Sequence, residues 1–129
     1  LEAVDRAVAA LIDDLDVRGI LARTLVIVMG EFGRTPKINN GQPCIPIPGR
    51  DHCGNAISVM MAGGGLKGGV VVGATNSKAE FPIERALKPA DILATVYHVM
   101  GIDPTTSFKD FAGRPVPMLD EGAPIAELI

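Results

Sequence analysis

The sequence contains few of the features that mark nucleic-acid-binding or membrane proteins. It has no Trp and one Tyr among 129 residues, and its 12 Lys and Arg residues are outnumbered by 15 Asp and Glu residues. No window gathers Lys and Arg into a basic stripe, so we expect no nucleic-acid partner. No apolar run approaches the roughly 20 residues that cross a bilayer, so we expect no membrane span.

The scarcity of aromatic residues also constrains the core. Aromatics make up only 4% of a chain that is 47% hydrophobic, so the core has to be built from Val, Ile, Leu, Ala and Met. Those residues are typical of a buried parallel sheet. We find no internal repeat or low-complexity linker, and the length suits one domain. The sequence therefore predicts one domain over residues 1–129.

The only two cysteines flank a Pro-rich loop. Cys44 and Cys53 could close a ring of about ten residues, which would stabilise the loop by roughly 2–3 kcal/mol in an oxidising compartment. They could equally remain free thiols. The spacing alone leaves both states open.

Two amphipathic helices are predicted. Apolar residues recur at spacings of three and four from Leu1 to Leu15, and Gly19 is placed to end this helix in a left-handed conformation. The second helix opens at Lys88-Pro89, because Pro suits the first helical position. Gly101 is placed to end it. His98 lies away from its apolar stripe, so we expect this side chain to be solvated.

Three strands are predicted between the helices. Leu25–Met29 is an apolar run without polar alternation, which is typical of a strand covered on both faces. Ile57–Ala62 and Gly69–Gly73 are the other two. A helix followed by a short turn and a buried strand is half of a βαβ unit, so the pattern predicts an α/β fold. From Ile102 onward we expect loop with one or two short extended pieces.

The glycines between the second and third predicted strands match the GxGxxG spacing of a dinucleotide fingerprint. Gly63, Gly65 and Gly68 carry the match. A dinucleotide fingerprint opens a helix, whereas here a strand is predicted to follow. A Gly-rich turn is therefore the favoured interpretation.

The residues after the first predicted strand are the candidate site, because ligands of open α/β sheets bind beyond the carboxyl ends of strands. Glu31, Asp51 and His52 are candidate metal ligands, since carboxylate and imidazole suit zinc, manganese or iron. Calcium is a further candidate ion, because it binds carboxylate oxygens. The alternative is that Glu31 only pairs with Arg34 while Asp51 and His52 turn the loop. A thiolate site formed by Cys44, His52 and Cys53 is a third option.

Arginines in the same stretch suggest an anionic ligand. The planar forks of Arg34 and Arg50 could grip a phosphate or sulfate group. Surface ion pairing is the simpler alternative for both.

Five segments in this order resemble the C-terminal half of the DUF1501 proteins, which belong to the alkaline phosphatase and sulfatase superfamily. The segments are TLVIVMGEFGRTPKINN, GRDHCGNA, MMAGGGLKGGVVVGAT, DILATVYHVMGIDP and GRPVPMLDEGAPIAEL. The resemblance implies a three-layer α/β sandwich with a mainly parallel central sheet, of which the front half is absent here. It also implies metal ligands at the carboxyl ends of strands.

The resemblance carries over to single positions. In the metal-dependent phosphatases of the superfamily, the strand matching Leu25–Met29 ends in an Asp-His pair, and a later His completes a second metal site. Glu31 stands at the Asp position, Phe32 at the adjacent His position, and His52 matches the later His. The carboxylate and one imidazole remain, which leaves a one-metal site, a different metal or no metal.

The leading hypothesis is the C-terminal part of a metal-dependent hydrolase of phosphate or sulfate esters. It places Glu31, Asp51 and His52 at a divalent metal and gives Arg34 the catalytic role at the oxyanion, with a small-molecule or polysaccharide ester as substrate. The nucleophile would lie in the missing N-terminal half. The alternative is a non-catalytic exported binding or structural protein. Family resemblance favours export, and we expect the isolated chain to be inactive and either marginally stable or self-associating.

Overall fold

A computed structural model describes residues 2–41 and 43–129 of the chain. The predicted helix position Leu1 lies outside the described residues. The helices are α1 (Glu2–Val17) and α2 (Pro89–Met100), with a short 3₁₀ helix at Leu21–Arg23. The strands are β1 (Leu25–Val28), β2 (Gly33–Asn39), β3 (Gly49–Cys53), β4 (Met60–Gly63), β5 (Ala74–Thr75), β6 (Pro82–Glu84), β7 (Ser107–Lys109) and β8 (Pro115–Pro117).

The predicted three-layer sandwich with a mainly parallel central sheet is wrong. The described strands form four two-stranded sheets, in which β1 pairs with β4, β2 with β3, β5 with β6 and β7 with β8. The last three pairs are antiparallel. Each of these three joins strands that are close in sequence, and a short connection that reverses the chain produces antiparallel pairing, whereas parallel pairing needs a long crossover.

Of the three predicted strands, one is confirmed, one is shifted along the chain and one is wrong. The first is confirmed as β1, although Leu25–Val28 is half-buried along its length and not covered on both faces. The second, predicted at Ile57–Ala62, corresponds to β4 at Met60–Gly63 and so begins later in the chain. The third is wrong: Val70–Val72 forms no strand, Val71 is 91% exposed, and Gly69 and Gly73 on either side both have positive φ. No helix follows Gly68, so the dinucleotide interpretation still fails.

The helix ends follow the sequence prediction. Gly19 has φ 69°, and Ile20 N–H donates to Leu15 O across the end of α1. Gly101 has φ 68° and ends α2 in the same left-handed conformation. These glycines let the chain turn while the last helical carbonyls still accept hydrogen bonds.

The chain divides into two compact units. The first comprises residues up to Val26, Met61–Val70 and Leu87–Ile129. Its fully buried side chains are Ala94 and Thr95 on α2 and Ile125 in the C-terminal segment. Thr95 Oγ1 donates to Asp91 O at 2.7 Å and accepts from Ile125 N–H at 3.0 Å. This hydroxyl therefore fixes the C-terminal segment against α2.

The second unit comprises Ile27–Met60 and Val71–Ala86. Its main element is the β2–β3 hairpin, and β5–β6 forms a smaller one. The smaller hairpin is closed by Asn76, which accepts from Glu80 N–H at 2.7 Å and donates to Glu80 Oε2 at 2.9 Å. All of the candidate site residues predicted from the sequence lie in this unit.

Candidate functional site

The β2–β3 hairpin brings the two ends of the predicted site together. Gly33 lies opposite Cys53, and Arg34 lies opposite His52. Directly opposed residues of an antiparallel pair project from the same face. The register therefore places the guanidinium of Arg34 beside the imidazole of His52, although 17 residues separate them in the sequence.

A bulge in β2 shapes this face. The register passes from Arg34 opposite His52 to Ile38 opposite Arg50, so β2 has three intervening residues where β3 has one. Pro36 lies within the bulge, where a residue without an N–H is tolerated because the ladder is already interrupted.

Two side chains satisfy the backbone groups that the bulge leaves without ladder partners. Thr35 Oγ1 accepts from Asp51 N–H at 3.1 Å and donates to Lys37 O at 3.0 Å. Arg50 Nη1 donates to Thr35 O and to Pro36 O, each at 2.9 Å. This guanidinium nitrogen thus has a structural role in the hairpin.

Three of the predicted site residues form one cluster at the open end of the hairpin. His52 Nε2 lies 3.1 Å from Glu31 Oε1, and Arg34 Nη2 lies 3.4 Å from the same oxygen. Their side chains are between 52% and 59% exposed, so a solute can reach all three. We call Glu31, Arg34 and His52 the hairpin cluster.

The electrostatics of the hairpin cluster favour an ionised carboxylate. The pKa of Glu31 is lowered mainly by a hydrogen bond from the backbone N–H of Glu31 itself. The charges of His52 and Arg34 lower it further by smaller amounts, and partial desolvation opposes these effects. Glu31 is therefore a carboxylate at neutral pH. Such an anion attracts a metal ion or a protonated partner.

Asp51 has a different partner. Its Oδ1 accepts a hydrogen bond from Asn39 Nδ2 at 2.7 Å. Neighbouring residues of a strand project to opposite faces, which separates the Asp51 side chain from that of His52. In residues 2–41 and 43–129, no group of three or more His, Cys, Asp or Glu side chains is placed to hold a metal ion. The structure thus joins Glu31 to His52 but leaves Asp51 with Asn39.

The cysteines and the second histidine lie outside the hairpin cluster. Cys44 and Cys53 are free thiols, the first exposed and the second half-buried. The Sγ of Cys53 faces Glu80 O at 3.9 Å, a weak contact. His98 is exposed on α2, as the sequence predicted.

Three further residues support the site, and sequence reasoning assigned none of them a supporting role, although Phe32 was noted at the position of a family His. The ring of Phe32 lies 5.2 Å from the imidazole of His52 at 35°, which limits the orientations of that imidazole. Thr35 fills the bulge, and Asn39 closes the loop that follows. The sequence offered signals for two of them, Thr35 before Pro36 and Asn39 two residues before Gly41. Both patterns favour local hydrogen bonds between side chain and backbone.

An open groove of about 530 Å³ runs beside the hairpin cluster. Its lining comprises Ile45, Ile47 and Gly49 together with the polar residues Arg34, Asn39, Arg50, Asp51 and His52. Its volume falls within the range of small-molecule sites, roughly 300–1,000 Å³. The candidate site therefore has room for a ligand larger than a single ion.

The comparisons identify the family. A family model described as a protein of unknown function (DUF1501) matches residues 1–129. The chain belongs to the DUF1501 family. No curated protein and no solved structure matches it. In the part of this DUF1501 chain that the structure describes, no helix is both long and apolar enough to cross a membrane.

Proposed function

We propose that this DUF1501 chain is part of an exported, metal-dependent hydrolase of phosphate or sulfate esters, related to the alkaline phosphatase and sulfatase superfamily. The observation that carries the proposal is the 3.1 Å separation of Glu31 Oε1 and His52 Nε2. A carboxylate and an imidazole meet at an exposed position, beside a guanidinium and a groove.

The donor atoms of the pair fit a divalent metal. Bonds from zinc to carboxylate oxygen and imidazole nitrogen are about 2.0–2.2 Å long, so one ion can contact two atoms that lie about 3 Å apart. Glu31 supplies a carboxylate oxygen that is charged at neutral pH, and His52 supplies an imidazole nitrogen. A bound divalent ion would activate a nucleophile and neutralise charge on the ester oxygens.

The role of Arg34 in this proposal is to hold the acidic group of the ester. Its side chain is half exposed, and its contact to Glu31 is long, at 3.4 Å. A planar fork of N–H donors matches two oxygens of a phosphate or sulfate group. The positive charge would stabilise the negative charge that develops on those oxygens.

A second candidate is a non-catalytic binding or structural protein. The observation that favours it is the engagement of Arg50 and Asp51, whose hydrogen bonds to Thr35, Pro36 and Asn39 stabilise the hairpin itself. Under this alternative, the hairpin cluster is a surface ion-pair network. The two candidates differ in whether a metal binds.

The first experiment measures metal content in the intact protein after exposure to zinc, manganese, calcium and iron ions. We expect approximately stoichiometric metal, and at least about a tenfold loss of affinity in Glu31→Ala and in His52→Ala. His98→Ala is the matched control, because it removes the only other histidine of the chain from an exposed position in the other unit. Its metal content should not change.

The second experiment measures ester hydrolysis by the metal-loaded intact protein. Arg34→Ala should lower kcat/KM by about 10²- to 10³-fold, the usual effect of removing one preorganised donor to an oxyanion. Arg18→Ala is the control, since Arg18 forms an exposed ion pair with Asp14 in α1. If the folded protein binds no metal, or if the His52 and His98 variants behave alike, the second candidate replaces the first.

A further inference from the structure

We propose that Ile45 and Ile47 form an apolar subsite beside the hairpin cluster, and that the ligand is an ester of an apolar aryl or alkyl alcohol. This inference rests on the proposed function, because it takes Arg34 and His52 as the position of the acidic group. It goes further by assigning the organic part of the ligand. It also disfavours a polysaccharide ester, whose hydroxyl groups would gain little from two aliphatic side chains.

The lining of the groove combines two kinds of side chain. Arg34 and His52 contribute cationic or hydrogen-bonding groups, and Ile45 and Ile47 contribute aliphatic groups. Both isoleucines are strongly exposed, at 59% and 70%. A ligand that covers them removes apolar surface from water, which is the main favourable contribution of apolar groups to binding.

The local sequence explains why both isoleucines face the same groove. Pro46 and Pro48 each follow an isoleucine, and a residue before proline is restricted to extended backbone conformations. Residues two apart project to the same side where the chain is strand-like. Both isoleucines of the Ile-Pro-Ile-Pro segment line the groove.

Contacts at the base of the loop hold this segment in place. Asn39 Oδ1 accepts hydrogen bonds from Gly41 N–H at 2.9 Å and from Gly49 N–H at 3.1 Å. Gly41 has φ 93°, and a Cβ there would lie 2.9 Å from Pro46 C and 3.0 Å from Ile45 O. The backbone at Gly41 therefore packs against the isoleucine segment. This arrangement favours a preformed subsite, which binds without the cost of ordering a loop.

Two arginines and one carboxylate line the groove, so cationic side chains are in excess there. Arg50 has one guanidinium nitrogen bound to backbone carbonyls and Asp51 accepts a hydrogen bond from Asn39, whereas the Arg34 side chain is 52% exposed. An anion with a single apolar substituent matches the arginine and isoleucine side chains of this lining. Phosphate and sulfate monoesters of apolar alcohols have this form.

The experiment uses non-hydrolysable probes that differ only in the apolar substituent. Phenylphosphonate is compared with methylphosphonate, and benzenesulfonate with methanesulfonate, each titrated into the zinc-loaded intact protein with isotope labels on the isoleucine methyl groups and on the arginine and histidine side chains. We expect NMR signals of Arg34, His52, Ile45 and Ile47 to shift together. We also expect the phenyl probe to bind about tenfold more tightly than its methyl counterpart, from the apolar area it covers.

A pair of variants isolates the subsite. The double variant Ile45→Ala and Ile47→Ala should lose most of the preference for the phenyl probe while its affinity for the methyl probe changes less than about twofold. Ile83→Ala is the matched control, because Ile83 is 65% exposed on β6 and does not line the groove. It should keep the full preference.

The outcomes separate this inference from the proposed function. Equal affinity for phenyl and methyl probes, or a preference that survives the double variant, overturns the apolar subsite alone. If no probe shifts the Arg34 and His52 signals in the folded, zinc-treated intact protein, both proposals are overturned. The sulfonate arm decides whether phosphorus or sulfur head groups are preferred.

Discussion

Gly33 and Ala56 lie so close together that no side chain fits between them. A Cβ at position 33 would collide with Ala56 O and would also lie 3.1 Å from Cys53 O. Gly33 precedes Arg34 and pairs with Cys53, so this close approach fixes the register that brings Arg34 to His52.

Replacing Gly33 with Ala should therefore destabilise the second unit. We expect Gly33→Ala to lower the free energy of unfolding by about 1–3 kcal/mol, because the colliding atoms belong to backbone and cannot rotate away. Gly54→Ala is the control, since its nearest contact would be Phe32 at 3.9 Å. Chemical denaturation of both variants measures the difference; equal stabilities would contradict the close approach.

Asn39 is predicted to hold the loop that carries the isoleucines. Asn39→Ala removes three hydrogen bonds, to Gly41, Gly49 and Asp51, and should lower the free energy of unfolding by about 1–2 kcal/mol. Hydrogen exchange at the Gly41 and Gly49 amides should accelerate. Asn55→Ala, on the exposed surface, should change stability by less than about 0.5 kcal/mol.

The buried hydroxyl of Thr95 provides a test of the first unit. Thr95→Val preserves the shape but leaves Ile125 N–H without its acceptor, which should cost about 1–3 kcal/mol. Thr95→Ser keeps the hydroxyl and loses only a methyl group, so its loss should be smaller. Thermal unfolding of the two variants gives the comparison. A Val variant as stable as the Ser variant would argue against the Thr95–Ile125 bond.

The β7–β8 hairpin should depend on the ionisation of Asp110. Hydrogen bonds from the Arg114 backbone, the Arg114 side chain and Ala112 N–H lower the pKa of this carboxyl. The ionised carboxylate therefore stabilises the hairpin fully at pH values above the ordinary Asp pKa of about 3.9. This stabilisation is lost as the pH falls through the lower pKa that Asp110 has in the folded protein. NMR titration of the Arg114 amide should follow this loss. Asp110→Asn should remove most of the dependence.

The apolar side of α1 should cause self-association of the isolated chain. None of its described residues is buried, and Val4 and Leu11 on one side are 51% and 47% exposed. Replacing both with Glu should shift sedimentation profiles towards monomer, whereas Ala10→Glu on the opposite side should have little effect. A wild-type chain that sediments as a monomer and unfolds cooperatively would refute this prediction.

Local sequence signals predicted several elements correctly. Gly19 and Gly101 end the two helices, and the apolar run from Leu25 forms a strand, because each depends on residues that are neighbours in the chain. The run Val70–Val72 shows the limit of this reasoning. Its β-branched residues favour a strand, but no strand forms between the turns at Gly69 and Gly73.

The candidate site was predicted in part. Glu31, Arg34 and His52 come together as a cluster, whereas Asp51 pairs with Asn39. The sequence showed that these residue types occur in one Gly- and Pro-rich stretch. It did not show the two-residue bulge, which depends on the pairing of β2 with β3 and decides which side chains share a face.

The sequence by itself determined the aliphatic composition of the chain, the two helices with their glycine ends, and membership of the DUF1501 family. Those properties follow from residue type and from neighbours along the chain. Only the tertiary structure decided that the strands pair as hairpins and that Glu31 meets His52. Pairing depends on register and on close backbone approaches such as that at Gly33, and these join residues that are distant in the sequence.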